Sequence, residues 1–203
     1  MDLDLDRLSA AGIVTPISPR SQLADQFRVI KRPLINNAIG KGAAPVANGN
    51  LIMVTSALPG EGKSFTSISL AMSIAAELDH TVMLVDADVA RPSVLRMLGL
   101  PPGPGLLDLL EGKAEMSDVL MRTNIDKLTI LPSGQTAKVA QVVNHARVPK
   151  GVAAGHGEHA ATAQVAVVGI GQHGAAGAGQ RGVAGQVQAR RAGVAAAAHR
   201  QRA

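Results

Sequence analysis

The residues best suited to chemistry form a glycine-rich stretch, ALPGEGKS, at positions 57–64. It follows the pattern G-x-x-x-x-G-K-[S/T] of phosphate-binding loops, except that alanine takes the place of the first glycine. Gly60 and Gly62 permit the backbone torsions that turn successive N–H groups inward around an anion. Lys63 can reach the β- and γ-phosphates of a nucleotide, and the Ser64 hydroxyl can ligate Mg²⁺. The stretch predicts a polyphosphate pocket, with a solvated strand-to-helix turn as the alternative.

The expected ligands of this loop are ATP and Mg²⁺. An apolar run precedes the loop and a helical pattern follows it, so the positive end of the helix dipole points at the same spot. The residues expected to contact the nucleotide are Ala57, Leu58, Pro59, Gly60, Glu61, Gly62, Lys63, Ser64 and Phe65.

Two acidic residues, Asp86 and Asp88, end the next apolar run, in VMLVDADVARPS. In open parallel sheets, ligands bind at the carboxyl ends of the strands. Strand alternation aims residues two apart in the same direction, so both carboxylates are expected to face the metal and the γ-phosphate. A helix cap or a turn is the alternative. The expected metal ligands are Ser64, Asp86 and Asp88, and the expected catalytic residues are Lys63, Asp86 and Asp88.

Strands and helices that alternate along the chain must position these groups. Buried strands are predicted at 51–56, 81–88 and 127–134, and a helix at 63–78. This order predicts an α/β fold of the P-loop NTPase type, a parallel sheet with crossover helices. The sheet is expected to be incomplete, because its remaining strands fall in an unusual C-terminal segment.

A helix is also predicted before the sheet, starting near Pro19 or Ser21. Its apolar face carries Leu23, Phe27, Ile30 and Leu34. The predicted domains are an N-terminal helical segment (1–40), a partial ATP-binding kinase domain (41–137) and an Ala/Gly/Val-rich tail (138–203).

The tail differs from the rest of the chain in composition. Residues 138–203 lack Leu, Asp, Ser, Met and Phe, and Glu158 is their single acid. Such a segment has few bulky apolar side chains, so their burial cannot offset the conformational entropy lost when the chain becomes ordered. We therefore expect the segment to be low-complexity and disordered. A shifted reading frame and a natural tail both explain this composition, and the first is favoured.

TSALPGEGKS and LVDADVARPS together resemble the cytoplasmic bacterial tyrosine autokinases of exopolysaccharide export. DLDRLSAAGIVTP and FRVIKRPLINNA resemble the branch of that family associated with exosortase systems. The resemblance implies transfer of the ATP γ-phosphoryl group to tyrosine, and a membrane polysaccharide co-polymerase adaptor as partner. It also implies ring-shaped oligomers, held through a charged helix motif that Asp25, Arg28 and Lys31 match imperfectly. A solvated helix face is the alternative for these three residues.

The chain departs from that family in two further features. The family's third acidic motif is absent downstream, and the 203 residues contain no Tyr. We therefore expect this copy to be a truncated or frameshifted, defective kinase. A partition- or division-type P-loop ATPase is one alternative, although ALPGEG lacks the early lysine of that group. A non-enzymatic interaction remnant is the other.

The composition of the chain argues against several other kinds of site and partner. The chain has no Cys, which excludes disulfides and thiolate metal sites. The net charge is +5, but much of the basic charge lies in the tail without aromatic partners, so no nucleic-acid partner is expected. No apolar run has the length of a membrane span. A cytoplasmic location is expected, with peripheral attachment at the inner membrane as a variant.

Overall fold

The computed structural model describes residues 1–134 and 166–172. Two helices, α1 (Leu5–Ala10) and α2 (Gln22–Ala38), precede the sheet. The later elements are β1 (Leu51–Val54), α3 (Lys63–Ala75), β2 (His80–Asp86), α4 (Val94–Leu98), α5 (Leu106–Leu110), α6 (Met116–Val119), β3 (Met121–Arg122), β4 (Leu128–Leu131) and β5 (Ala166–Gln172). In the described part of the chain, no helix combines the length and the hydropathy needed to cross a bilayer.

The strands form one sheet in the order β1-β5-β2-β4-β3. β2 and β4 pair in parallel, with Val82 opposite Leu128. β5 runs antiparallel to both β1 and β2, and β3 runs antiparallel to β4. The predicted α/β class of the P-loop NTPase type is confirmed, but the sheet is mixed where a wholly parallel one was expected.

Strand β5 is the main difference from the sequence-based expectation, because it lies within the segment predicted to be disordered. Val168 and Ile170 are fully or almost fully buried, at 0% and 3% exposure. β-Branched residues favour extended backbone, and the intervening Gly169 fits between Leu51 and Met83 on the flanking strands. A short apolar run is therefore enough to occupy the sheet centre. The other expectations for residues 138–203 lie outside the described residues.

The core lies on both faces of β2. Val82 and Leu84 face the larger cluster, which includes α3, while Met83 and Val85 face a smaller cluster with Val119 of α6. This division follows from strand alternation, in which successive side chains point to opposite faces. Burial on both faces explains why β2 reads as one continuous apolar run.

Helix α3 is the most deeply buried helix among the described elements, since every residue from Ser67 to Ala75 is buried. Its Ser and Ala residues allow it to pack closely on the sheet. Helix α2 begins at Gln22, close to the start predicted near Pro19 or Ser21. Ser21 is its N-cap, and the Ser21 hydroxyl accepts a hydrogen bond from Ala24 N–H at 3.2 Å. Leu8 of α1 and Phe27 of α2 belong to the same core cluster as α3.

Candidate functional site

The glycine-rich loop connects the end of β1 to the start of α3. Gly60 and Gly62 both have φ of 85°, and Gly62 is the N-cap of α3. This left-handed region is unfavourable for residues with a Cβ, so the glycines let the loop curl over the helix N-terminus. The torsions agree with those that the sequence predicted for an anion-binding loop.

Lys63 is folded back onto the loop itself. Its Nζ donates to the Ser56 hydroxyl at 2.8 Å and to the Leu58 carbonyl at 3.3 Å. The Ser56 hydroxyl in turn donates to the same carbonyl at 2.9 Å. The ammonium group therefore lies against the first residues of the loop.

Glu61 binds the backbone of the loop through its side chain. Its carboxylate accepts a hydrogen bond from Leu58 N–H at 3.0 Å. This bond, together with the nearby Ser56 hydroxyl, lowers the pKa of Glu61 below its ordinary value. A negative charge is thus fixed against a loop amide at neutral pH.

Ser64 is connected to Asp86 through one residue, Ser93. The Ser64 and Ser93 hydroxyl groups are 2.5 Å apart, and Ser93 N–H donates to Asp86 Oδ2 at 3.2 Å. The first turn of α3 and the end of β2 therefore meet at one place. The sequence predicted that Ser64 and Asp86 converge, and the contacts of Ser93 bring the two residues together.

Asp86 is a buried carboxylate, with an exposed fraction of 2%. Its Oδ2 also accepts from Val94 N–H at 3.1 Å, so it caps the start of α4. Burial raises the pKa of Asp86, while its backbone hydrogen bonds oppose that rise. A buried acid at the carboxyl end of a strand, beside a phosphate-type loop, has the placement of a functional group.

Asp88 lies in a different position from Asp86. β2 ends at Asp86, so Asp88 lies outside the strand, and the common direction of the two carboxylates stays a prediction. Asp88 Oδ1 accepts from Arg91 N–H at 2.9 Å, which closes a local turn, and Asp88 N–H donates to Asp86 Oδ1 at 3.2 Å. Its half-exposed side chain adds a second negative charge next to Asp86.

The donors near the loop suit Mg²⁺ only in combination with phosphate oxygens and water. The Ser64 hydroxyl and the Asp86 carboxylate are hard oxygen ligands of the type that Mg²⁺ prefers. Within residues 1–134 and 166–172, no group of three or more His, Cys, Asp or Glu residues could hold a metal. Mg²⁺ characteristically keeps several waters and binds through one or two protein groups plus phosphates, so this sparse set fits it.

A cavity of about 320 Å³ is lined by Asp86 and by residues that follow β4, among others. Its lining combines one buried acid with apolar and small residues and a single arginine. The lining residues are Asp86, Pro92, Leu95, Arg96, Leu100, Pro102, Gly103, Ser133 and Gly134. Asp86 therefore contacts both the Ser93 amide and a cavity beside it.

Ser93 is the residue that sequence reasoning missed. Its place after Pro92 and before a helical run indicates an N-cap, but its side chain makes no capping bond because Asp86 binds the α4 amides instead. Only the tertiary contact with Ser64 gives the hydroxyl a role at the site.

The three charged residues expected to form an oligomer contact do not share one surface. Asp25 and Arg28 form an exposed ion pair at 3.2 Å, with side chains 61% and 54% exposed. Lys31 is instead buried against α3, where Nζ pairs with Glu77 and donates to the Ser73 carbonyl at 2.7 Å. Successive steps of three residues rotate the side chain about 60° around the helix, which turns Lys31 inward.

The chain is similar in sequence to a P-loop NTPase family and to bacterial tyrosine-protein kinases. A family model for ParA, described as NUBPL iron-transfer P-loop NTPase, matches residues 48–140. The tyrosine-protein kinase YwqD of Bacillus subtilis is 31% identical over 61% of this chain and 49% of its own length. CpsD of Streptococcus agalactiae, also a tyrosine-protein kinase, is 39% identical over 42% of this chain and 37% of its length. The succinoglycan biosynthesis transport protein ExoP of Rhizobium meliloti is 33% identical over 58% of this chain and 14% of its length.

Two solved structures are also similar. The chimerical protein CapA2B2 has 25% identity and a TM-score of 0.48, with 66% of this chain and 61% of that chain covered. The kinase domain of the Escherichia coli tyrosine kinase ETK has 24% identity and a TM-score of 0.41, with 64% and 59% covered.

The fold and the glycine loop define a ParA-like P-loop NTPase domain. Within that class, the chain is similar to bacterial tyrosine-protein kinases, in line with the resemblance of its motifs. It spans about half of the length of YwqD and a smaller share of the other two relatives.

Proposed function

We propose that this chain binds ATP and Mg²⁺ at the loop 57–65, and that the reaction built around this site is phosphoryl transfer to a tyrosine hydroxyl. The observation that carries the proposal is that Ser93 contacts both Ser64 and Asp86. Lys63, which precedes Ser64 in the sequence, binds the Ser56 hydroxyl at the start of the same loop. The names of the relatives support tyrosine as the acceptor.

Each group has a role that its position supports. Lys63 and the loop amides hold the β- and γ-phosphates, and the Ser64 hydroxyl and Asp86 are the protein ligands for Mg²⁺, which neutralises phosphate charge when bound. Asp88 adds charge next to Asp86 and helps to orient the attacking hydroxyl. The cavity lined in part by Asp86 gives an acceptor side chain room next to this acid.

The 203 residues contain no Tyr, so the proposed acceptor is a tyrosine outside these residues. The name of ExoP, a succinoglycan biosynthesis transport protein, supports a place in polysaccharide biosynthesis. On the resemblance of the motifs, the proposal includes a membrane polysaccharide co-polymerase as the adaptor and the cytoplasm as the compartment. Transfer by this copy is expected to be impaired, in line with its missing third acidic motif.

Equilibrium dialysis of the full chain with labelled ATP and Mg²⁺ tests nucleotide binding. We expect the wild type to retain nucleotide and Lys63→Ala to lose most of it. Lys41→Ala removes an exposed lysine from the linker and serves as the matched control. Equal retention by Lys63→Ala and the wild type would contradict binding through the loop.

Phosphoryl transfer is tested separately, with a copolymer of Glu and Tyr as acceptor. Label that enters tyrosine and disappears in Lys63→Ala supports a competent kinase. Binding without incorporation supports the expected defective copy.

A ParA-type ATPase is the second candidate, since the matching family model is of that class. It predicts phosphate release in the absence of any tyrosine acceptor. The absence of an early lysine in ALPGEG favours the kinase. An interaction remnant predicts neither binding nor phosphate release.

A further inference from the structure

Both backbone polar groups of Leu58, in the middle of the glycine loop, are bound by side chains of the loop region. The Leu58 carbonyl accepts from Ser56 and from Lys63, at 2.9 and 3.3 Å. Leu58 N–H donates to the Glu61 carboxylate at 3.0 Å. One amide of the loop and the loop lysine therefore find their partners within residues 56–63.

The Glu61 carboxylate resembles a phosphate in the features that the loop recognises. It carries a negative charge and presents two acceptor oxygens, and backbone N–H groups and a lysine are the groups that bind phosphates in such loops. The charge of Lys63 also contributes to the lowered pKa of Glu61, so the two side chains attract each other across the loop. Glu61 is fully exposed, so the contact breaks at small cost.

We propose that Glu61 is a built-in competitor for the phosphates of the nucleotide. Its carboxylate occupies an amide that an incoming phosphate oxygen needs, and Ser56 retains the lysine that the same phosphate needs. This inference rests on the proposed nucleotide site and adds a residue that weakens binding there. The exchange is between anions, so it acts on the polyphosphate part of the ligand and not on the base or ribose.

The proposal makes a graded prediction for two variants of the full chain. Glu61→Gln keeps an acceptor oxygen but removes the charge, and Glu61→Ala removes both. We expect Glu61→Gln to lower the Kd for magnesium-bound ATP about two- to fivefold, and Glu61→Ala to lower it at least as much. Pyrophosphate should show the same gain, whereas adenosine should show none.

Isothermal titration calorimetry with each of the three probes measures these constants. Glu111→Gln is the matched control, because it neutralises an exposed glutamate at the end of α5 and should leave every Kd unchanged. Circular dichroism confirms that the variants keep the fold, as expected for an exposed loop residue.

Two outcomes separate this inference from the proposed function. If the wild type binds nucleotide in a Lys63-dependent manner but the Glu61 variants bind equally or more weakly, Glu61 organises the loop and the competitor role is wrong. If neither the wild type nor the Glu61 variants bind ATP or pyrophosphate, the nucleotide site itself is wrong. A gain confined to adenosine-containing probes would also overturn the inference.

Discussion

The hydroxyl groups of Ser64 and Ser93 lie 2.5 Å apart and join the first turn of α3 to the loop before α4. Through Ser93 N–H, the same contact reaches the buried carboxylate of Asp86. The Ser64 hydroxyl, which we propose as a magnesium ligand, and the Asp86 carboxylate at the end of β2 are therefore connected by one residue.

Replacing Ser93 should change the response of nucleotide binding to Mg²⁺. In Ser93→Ala, the Ser64 hydroxyl loses its hydrogen-bond partner and is free to bind the metal. We expect the Mg²⁺ concentration for half-maximal nucleotide binding to fall by about two- to fivefold, the size of one modest hydrogen bond. Titration of Mg²⁺ at fixed nucleotide checks this, and Ser64→Ala, which removes the ligand, should shift the midpoint upward.

Asp86 should show a conflict between stability and function. The pKa of Asp86 is raised, so the ionised form of its carboxyl is less favourable in the folded state. The free energy of unfolding therefore falls as the pH rises above the ordinary pKa of 3.8, until the pH passes the folded pKa. Asp86→Asn removes the charge and keeps a carbonyl oxygen for the α4 amides. We expect it to be at least as stable as the wild type at pH 7, yet to lose Mg²⁺-dependent nucleotide binding.

Asp86→Ala separates the capping role of the side chain from its charge. It leaves the N–H groups of Ser93 and Val94 without their acceptor, so we expect a loss of about 1–2 kcal/mol in the free energy of unfolding. Urea denaturation at pH 7 compares the two variants. An Asn variant that is as unstable as the Ala variant would show that the charge itself contributes stability.

Lys31 should contribute to stability rather than to an exposed contact. Its Nζ donates to the Ser73 carbonyl in the last turn of α3 and pairs with Glu77, so it caps that helix from α2. We expect Lys31→Met to lower the free energy of unfolding by about 1–3 kcal/mol. Arg28→Met, at an exposed position of the same helix, should change it by less than about 0.5 kcal/mol. Urea denaturation of both variants provides the test.

The contribution of Glu77 should depend on pH. The hydrogen bond from Lys31 is the main reason that the pKa of Glu77 is lowered. A lowered carboxyl pKa gives stability that is complete above the ordinary value of 4.5 and is lost as the pH falls through the folded pKa. The stability difference between the wild type and Lys31→Met should therefore be constant from pH 7 to pH 5 and shrink below about pH 4.5. A difference that stays constant down to pH 3 would contradict this pairing.

The central position of β5 is tested through Ile170, which is 3% exposed between β1 and β2. Shortening it leaves a cavity in the main core, so Ile170→Ala should cost about 2–4 kcal/mol in the free energy of unfolding. Val29→Ala is the control, because Val29 is 72% exposed and should contribute little. Thermal unfolding followed by circular dichroism compares the two, and equal midpoints would place Ile170 outside the core.

The sequence by itself determined the elements whose signals are local. The glycine loop, the helix after it and an apolar strand that includes Asp86 were all predicted, because the torsional freedom of glycine and the hydrophobic period act within a few residues. The strand itself ends two residues before the predicted end at residue 88. The same locality explains why the start of α2 was predicted close to its N-cap, Ser21. The resemblance to the family could also be read from the sequence, because the glycine-rich motif and the acidic motif are each short and contiguous.

The tertiary structure decided which distant residues meet. Nothing local indicates that β5 enters between β1 and β2, or that it runs antiparallel to them, because strand order depends on pairing across long stretches of chain. The inward turn of Lys31, the contact of Ser93 with Ser64 and the position of Asp88 outside the strand are likewise matters of packing. Sequence spacing identifies the groups that are capable of chemistry, whereas packing selects those that stand beside the loop.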